Sequence, residues 1–411
     1  MSTTNTLNSN TQLAYLDNNA TTQVAPEVLQ EMLPYLSEFY GNPSSIHQFG
    51  EQVGKAIERA RVQVQKLIGA THSSEVIFTS CATEATSTAI NSAIEAFPNR
   101  KEIITSVIEH PATLELCQML ERKGYTVHWI GVDKRGRLDM EAYKQALSPN
   151  VAIASFMWAN NETGSLFPIR GMAELAKQHG ILFHTDAVQV AGKLPIQVAD
   201  SGIDLLSISG HKFHAPKGVG ALYLRRGAKF RPLLRGGHQE RGRRAGTENC
   251  SGIVGLGKAA ELATIAMEQD SARIKMMRDR LEMGLLARIP NCFVTGDPKH
   301  RVPNTSNIAF EFVEGESILL MLDQHGIAAS SGSACTSGSL EPSHVMRAMD
   351  IPYTAAHGAI RFSLSRFTTE EMVDQVLAVL PGIVEKLRML SPYWDAANNQ
   401  PAEQSFSPVY A

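Results

Sequence analysis

Short apolar segments alternate with helical patterns between about residue 75 and residue 226. The candidate strands are Val76–Thr79, Ile103–Ile108, Thr126–Val132, Ala152–Trp158, Ile181–His184, Leu205–Ser209 and Gly220–Leu224. Segments between them, such as Ala112–Lys123 and Gly171–His179, have the apolar spacing of helices. Apolar strands that alternate with helices indicate an α/β protein whose mostly parallel sheet is covered on both faces.

The pattern changes after about residue 250. A helical stretch from about Gly252 to Leu286 leads to a second unit with α+β character. That unit has candidate strands at Ser306–Phe312 and Ile360–Leu364, and candidate helices at Ser317–His325 and His344–Met349.

A last helix is predicted after Thr368, which we take as its N-cap because Glu371 completes a capping-box pattern. Pro381 should kink or break that helix. We expect a large domain at residues 14–265, whose first residues pack on a smaller domain at residues 266–394. Residues 1–13 and 395–411 are predicted to be a disordered N-terminus and a flexible tail.

The composition is that of an ordinary globular protein of 411 residues, with 43% hydrophobic and 19% charged residues. A net charge of −3 gives no reason to expect nucleic acid or a membrane as the main partner. No apolar run looks long enough to span a bilayer, and the polar N-terminus lacks the apolar core of a signal peptide. We therefore expect a cytoplasmic protein.

Two strand ends of the predicted sheet carry reactive side chains, in the segments HTDAVQ (184–189) and SGHK (209–212). Ligands of parallel sheets bind at the carboxyl ends of the strands. Lys212 and Asp186 suit pyridoxal phosphate, because the lysine can form a Schiff base and the aspartate can hold the pyridine nitrogen protonated. A buried ion pair that joins two strands is an equally open interpretation of these two residues.

The segment TSCATE (79–84) lies where a predicted strand turns into a helix. Free N–H groups at such a helix start favour an anion, here the cofactor phosphate. An ordinary helix cap at Ser80 or Thr83 is the alternative.

The five cysteines have no C-x-x-C spacing, which argues against a structural zinc site and a disulfide framework. Cys335 differs from the others because it lies in SSGSACTSGS (330–339), ten small residues that cannot form a core. We expect this loop to be exposed and mobile, so that its thiol can meet a substrate.

Other candidates depend on context. His110 follows a strand and could stack on a cofactor ring, although histidines at strand ends are common. Arg361 could bind a carboxylate with its planar fork, or form a surface salt bridge. His211 and His214 are weak evidence for a metal, and the basic segment after Gly236 is weak evidence for nucleic acid.

Several long motifs resemble the cysteine desulfurases, and in particular their nitrogen-fixation (NifS-type) branch. They are YLDNNATT (15–22), GNPSSIH (41–47), SGHK (209–212), GHQERGRRAGTEN (237–249), SLEPSHVMR (339–347) and the Cys335 loop. The resemblance runs from about Ala14 to Trp394. It implies a homodimeric enzyme of the class V aminotransferase-like group, with pyridoxal-phosphate fold type I and a seven-stranded sheet.

The resemblance also implies residue roles. Lys212 would hold the cofactor, Cys335 would accept the sulfur of L-cysteine as a persulfide, and alanine would leave. For the cofactor ring, Asp186 would pair with the pyridine nitrogen, Gln189 would bond to the ring oxygen and His110 would stack on the ring. Asn161 and Arg361 would orient the substrate. The residues implied to bind the phosphate are Ala82, Thr83, Ser209, His211 and the partner's Thr247.

The resemblance suggests that the sulfur goes to an iron–sulfur scaffold protein of the NifU type for nitrogenase maturation, with Cys335 as a transient iron–sulfur ligand. Two alternatives stay open. The chain could be a selenocysteine lyase or an aminotransferase on the same scaffold, or a non-catalytic protein that only relays sulfur.

Overall fold

The computed structural model describes residues 13–332, 342–395 and 397–402. Its strands are, in chain order, β1 (Ala14–Tyr15), β2 (Val76–Thr79), β3 (Glu102–Ser106), β4 (Thr126–Ile130), β5 (Val151–Met157), β6 (Leu182–Asp186), β7 (Leu205–Ser209), β8 (Gly220–Leu224), β9 (Cys292–Val294), β10 (Thr305–Phe310), β11 (Ile327–Ala328), β12 (Ala359–Ser363), β13 (Trp394–Asp395) and β14 (Gln400–Pro401).

The α-helices are α1 (Pro26–Met32), α2 (Pro34–Ser37), α3 (Gln48–Ile68), α4 (Ala82–Ala96), α5 (Pro111–Arg122), α6 (Met140–Ala146), α7 (Ile169–Gln178), α8 (Gln239–Gly242), α9 (Cys250–Arg288), α10 (Gly315–Gln324), α11 (His344–Ala348), α12 (Tyr353–Ala356) and α13 (Glu370–Arg388).

The large sheet has seven strands in the order β2-β8-β7-β6-β5-β3-β4. β8 is antiparallel to both of its neighbours, and the other adjacent pairs are parallel. The prediction of an α/β fold with a mostly parallel seven-stranded sheet is confirmed. β6 extends two residues further than its predicted end, so Asp186 is the last residue of the strand.

A second unit contains the antiparallel sheet β12-β10-β9, which shares one apolar core with α10, α13 and the end of α9. β1 pairs with β11, and Leu16 is buried in the apolar core of this unit. The predicted boundary at residue 265 falls within the continuous helix α9, so the division of the chain into two domains stays a prediction.

Two details of the last helix differ from the prediction. Thr369 is the N-cap and accepts from the Met372 N–H, because the Thr368 hydroxyl is already used by the Ser365 N–H of the preceding turn. Pro381 does not end the helix, which continues to Arg388. Proline deprives the Leu377 carbonyl of its usual helical donor. Arg288 Nη1 supplies a donor to that carbonyl at 3.3 Å.

In the part of the chain that the structure describes, α9 is long and apolar enough to span a membrane by length and composition, contrary to the prediction. However, 44% of its apolar window is buried inside the protein, and the helix packs on α1, α3 and α13. A core helix has these same properties.

Candidate active site

Most of the predicted site residues line one pocket at the carboxyl ends of β5, β6 and β7. Its volume is about 300 Å³, at the lower end of the range of about 300–1,000 Å³ that small ligands occupy. The predicted residues that line it are Ala82, Thr83, His110, Asn161, Asp186, Gln189, Ser209, His211, Lys212 and Arg361.

Neighbouring strands bring Asp186 and Lys212 together. Asp186 ends β6 and Ser209 ends β7, and the two strands are parallel and adjacent. A single turn of 3₁₀-helix, Gly210–Lys212, then presents the lysine. A Cβ at Gly210 would lie 2.9 Å from the Ala215 Cβ, so this tight turn requires glycine.

Two backbone carbonyls hold the amine of Lys212. Its Nζ donates to the Asn19 oxygen at 2.6 Å and to the Ala20 oxygen at 2.7 Å. The prediction did not assign a site role to Asn19 or Ala20. Contacts through backbone oxygens leave no side-chain signal in a sequence, and only the segment that resembles the desulfurases marks this position.

Asp186 and His110 both line the pocket, and each shifts the pKa of the other. Burial raises the pKa of the Asp186 carboxyl, while His110 and Lys212 act in the opposite direction. Burial lowers the pKa of His110, and Asp186 raises it. His110 Nδ1 accepts from the Ala112 N–H at 3.1 Å, where the histidine caps α5. That bond leaves Nε2 as the ring nitrogen that carries the hydrogen in the neutral form.

The start of α4 forms another side of the pocket. The N-cap residue Cys81 makes no side-chain capping bond, and neither Ser80 nor Thr83 caps this helix. The Ser80 N–H is instead taken by Glu84 Oε2 at 2.8 Å. Ala82 and Thr83 line the pocket, so the uncapped start of α4 presents N–H groups suited to an anion there.

His211 lines the same pocket as the start of α4. Its Nδ1 lies 3.1 Å from the Thr21 hydroxyl. Burial, with Lys212 and Lys217, lowers the pKa of His211 to about 4. At neutral pH the ring is therefore an uncharged hydrogen-bonding group.

Arg361 comes from the second unit and closes the pocket. Its Nη2 donates to Asp17 Oδ1 at 2.6 Å, and Nη1 donates to the Asn161 carbonyl at 2.9 Å. The residue is only 2% exposed, so the alternative of a surface salt bridge is wrong. Its Nε is buried without a protein partner among the described residues.

The comparisons with known proteins agree with this arrangement. Residues 14–376 match the family model of class V aminotransferases. The chain is 63% identical over 399 residues to the cysteine desulfurase NifS of Azotobacter vinelandii, which covers 96% of this chain and 99% of that protein. This chain belongs to the cysteine desulfurases.

Solved structures support the same family. A NifS-like protein superposes with a TM-score of 0.86 at 37% identity, covering 92% of this desulfurase and all of that chain. A structure described as SspA in complex with cysteine superposes with a TM-score of 0.76 at 33% identity, covering 86% and 99% of the two chains. The predicted family and the predicted fold type I architecture are confirmed.

Two predicted site residues are not in the pocket of this desulfurase as described. Thr247 is exposed and lies outside the pocket lining, so its role at a partner's site stays a prediction. Cys335, predicted as the sulfur acceptor and as a transient iron–sulfur ligand, lies outside the described residues. Gly332, three positions before it in the sequence, does line the pocket.

The other cysteines have the properties of structural thiols, with one exception. Burial raises the pKa of Cys117 to about 12 and that of Cys292 to about 11, and it also raises the pKa of Cys250. Thiols with raised pKa values are poor nucleophiles at neutral pH. Cys81 is the exception, because it lines the pocket at the start of α4.

Among the described residues, no group of three or more His, Cys, Asp or Glu side chains is arranged to hold a metal ion.

Proposed function

We propose that this protein binds pyridoxal 5′-phosphate in the pocket and converts L-cysteine into L-alanine and a persulfide on Cys335. The convergence of Lys212, Asp186 and Arg361 on one pocket carries the proposal. An amine, a buried carboxylate and a guanidinium are the three groups that this cofactor and an amino-acid substrate need.

The residues of the pocket fit the cofactor chemically. The Asp186 carboxylate has a raised pKa because it is buried, so a protonated pyridine nitrogen would be a favourable partner for it. The uncapped start of α4, together with Ser209 and neutral His211, offers hydrogen-bond donors to a phosphate. The Gln189 amide can serve the ring oxygen, and His110 can cover the ring face.

The bound cofactor would supply an electron sink for the carbon that loses a proton. Arg361, whose Nε has no protein partner among the described residues, would bind the substrate carboxylate next to Asn161. Lys212 Nζ would then move a proton from the substrate Cα. The Cys335 thiolate would bond to the substrate sulfur as the Cβ–S bond breaks and leaves its electron pair on Cβ. Cβ would then take up a proton, and Lys212 would return a proton to Cα, which gives alanine.

A second copy of the chain is the partner that we propose for the exposed apolar surface near the N-terminus. Leu36, Tyr40 and Ile46 are 61%, 74% and 103% exposed, which favours an interface over a free surface. Thr247 would contribute to the partner's phosphate site.

We further propose a cytoplasmic location and a NifU-type scaffold as the sulfur acceptor, with Cys335 as a transient iron–sulfur ligand.

The experiment is a product assay on purified protein reconstituted with the cofactor. Wild type and Cys335→Ala are given L-cysteine, and alanine and sulfane sulfur are measured, with cofactor absorbance as the control for an intact site. Cys81→Ala is the matched control, since Cys81 is the described thiol that lines the pocket.

We expect wild type and Cys81→Ala to form both products and Cys335→Ala to form neither. Equal alanine from Cys335→Ala would contradict the role of Cys335 and favour a lyase. Pyruvate or amino-group transfer would favour an aminotransferase, and a colourless protein without products would favour the relay function.

A further inference from the structure

Lys193 places a second amine beside Lys212 and has no role in the reaction proposed above. It lies in the turn after β6, directly behind Gly192. Its Nζ donates to Gln189 Oε1 at 2.7 Å and to Asn19 Oδ1 at 3.3 Å. A Cβ on Gly192 would lie 2.7 Å from the Phe213 Cβ, so glycine lets this turn pack directly against the residue that follows Lys212.

The hydrogen bond from Lys193 sets the orientation of the Gln189 side chain. Lys193 Nζ donates to the amide oxygen, so the oxygen faces Lys193 and the amide nitrogen points away. That nitrogen donates to the Asn19 carbonyl at 3.1 Å. Removal of Lys193 would therefore take away one of the two hydrogen bonds that hold this orientation, and the bond to the Asn19 carbonyl would be the other.

Lys193 is also connected to Lys212 through Asn19. The Asn19 carbonyl accepts from both Gln189 Nε2 and Lys212 Nζ, while the Asn19 side chain accepts from Lys193. A change at Lys193 would therefore reach the Lys212 amine through one shared residue.

The charges around Lys193 are mostly positive. Burial, together with the charges of Lys212 and Arg361, lowers the pKa of Lys193 to about 7. Behind Lys212, Lys193 also lines a small cavity with His214, Asp270 and Arg366. Electrostatic interaction is mutual, so a positive charge on Lys193 disfavours a positive charge on the Lys212 nitrogen.

We propose that Lys193 is a positioning residue, which turns the donor end of the Gln189 amide toward the pocket and favours loss of a proton from the Lys212 nitrogen. The proposal rests on the proposed function, in which Lys212 bears the cofactor and moves the substrate proton. It assigns to Lys193 no contact with the reacting atoms.

The test is a pH titration of the visible absorbance of the cofactor-loaded protein. Lys193→Met keeps an unbranched side chain one atom shorter and removes the charge and the donor, whereas Lys193→Arg keeps both. Lys258→Met is the matched control, because Lys258 pairs with Glu261 on α9 and does not line the pocket. Unfolding by urea checks that each variant is folded.

We expect the titration midpoint of Lys193→Met to rise by about one pH unit, at the low end of the roughly 1–3 units that a neighbouring charge produces. Lys258→Met should titrate like wild type, and Lys193→Arg, which keeps its charge at every pH of the titration, should have a midpoint equal to or below that of wild type. The kcat of Lys193→Met at neutral pH should fall about tenfold and recover at alkaline pH, with KM nearly unchanged.

An unshifted midpoint in folded, coloured Lys193→Met would overturn the proposal. If that variant does not fold, Lys193→Gln takes its place, because it retains a donor and loses only the charge, and an unshifted midpoint there would overturn the electrostatic effect. Wild-type protein that takes up no cofactor would instead overturn the proposed function itself.

Discussion

The pocket has two walls, one from the large sheet and one from the second unit, and they hold their functional groups by different means. On the sheet side, Asp186 and Lys212 stand at adjacent strand ends, where the topology alone brings them together. On the other side, Arg361 is held by Asp17 and by the Asn161 carbonyl, which are 344 and 200 residues away in the chain.

Because of this difference, substitutions in the two walls should have different effects on the enzyme. Damage to the sheet wall should affect the cofactor and the chemical step, because that wall provides the amine, the carboxylate and the anion site. Damage to the second wall should affect the substrate and leave the cofactor bound. A variant in one wall that shows the effect expected of the other wall would contradict this assignment of roles.

The largest effect is expected from Asp186→Asn in the sheet wall. An amide cannot hold a pyridine nitrogen protonated, so we expect kcat to fall by about 10²- to 10³-fold, as when one preorganised electrostatic group is removed from an active site. The measurement is alanine formation, with cofactor content determined on the same sample. Activity within threefold of wild type at full cofactor content would contradict the role of Asp186.

A smaller and different effect is expected from Arg361→Lys in the second wall. Lysine lacks the planar fork that can serve Asp17, Asn161 and a carboxylate together. We expect KM for L-cysteine to rise about 10- to 100-fold, corresponding to roughly 1.4–2.8 kcal/mol, while cofactor absorbance is retained. Loss of the cofactor with unchanged KM would mean that Arg361 holds the cofactor rather than the substrate.

The two walls also differ in how far the sequence predicts them. The ends of β7 and β8 were predicted to the residue, and strand-end chemistry pointed to Asp186 and Lys212, because local periodicity and parallel topology suffice for both. The surroundings of Arg361 were not predictable in this way, since the alternative of a surface salt bridge failed only when burial against distant Asp17 became visible.

Some features gave no local signal at all. The carbonyls of Asn19 and Ala20 contact Lys212 through the backbone, and Lys193 looks like any lysine after a turn. Pro381 in α13 gave a clear local signal, but the predicted kink or break did not end the helix. Arg288 donates to the carbonyl that proline leaves without a helical donor. Tertiary contacts decided each of these positions.

Two buried carboxylates join the walls, and the first is Glu162. Its Oε2 accepts from the Ser343 hydroxyl at 2.6 Å, and Gly332 packs so closely that a Cβ would lie 3.1 Å from the Glu162 side chain. Gly332 and Ser343 lie on either side of Cys335 in the sequence. Glu162 therefore contacts residues both before and after the predicted sulfur acceptor.

Ser343→Ala tests this contact, because it leaves the buried Glu162 carboxylate without its hydroxyl donor. We expect a loss of about 1–3 kcal/mol in the free energy of unfolding and slower persulfide formation at unchanged cofactor content. Ser343→Thr keeps the hydroxyl and is the matched control. If the alanine and threonine variants form persulfide at the same rate, the contact does not matter for sulfur transfer.

The second carboxylate, Glu109, predicts a pH effect. It is 1% exposed and accepts from the Ser106 hydroxyl and the Met157 N–H, while its carbonyl lies 3.0 Å from His344 Nε2 of the second wall. Burial raises the pKa of the Glu109 carboxyl from 4.5 to about 8. The folded protein therefore binds this proton more tightly than the unfolded chain does.

A raised pKa stabilises the folded state fully below pH 4.5, and this stabilisation is lost as the pH rises to about 8. Glu109→Gln does not titrate, so the difference in unfolding free energy, wild type minus variant, should fall steadily across that window. Urea unfolding at several pH values measures it, with Glu51→Gln on the exposed face of α3 as control. A difference that stays flat or rises with pH would mean that Glu109 is ionised in the folded protein, and that the hydrogen bonds from Ser106 and Met157 to its carboxylate outweigh its burial.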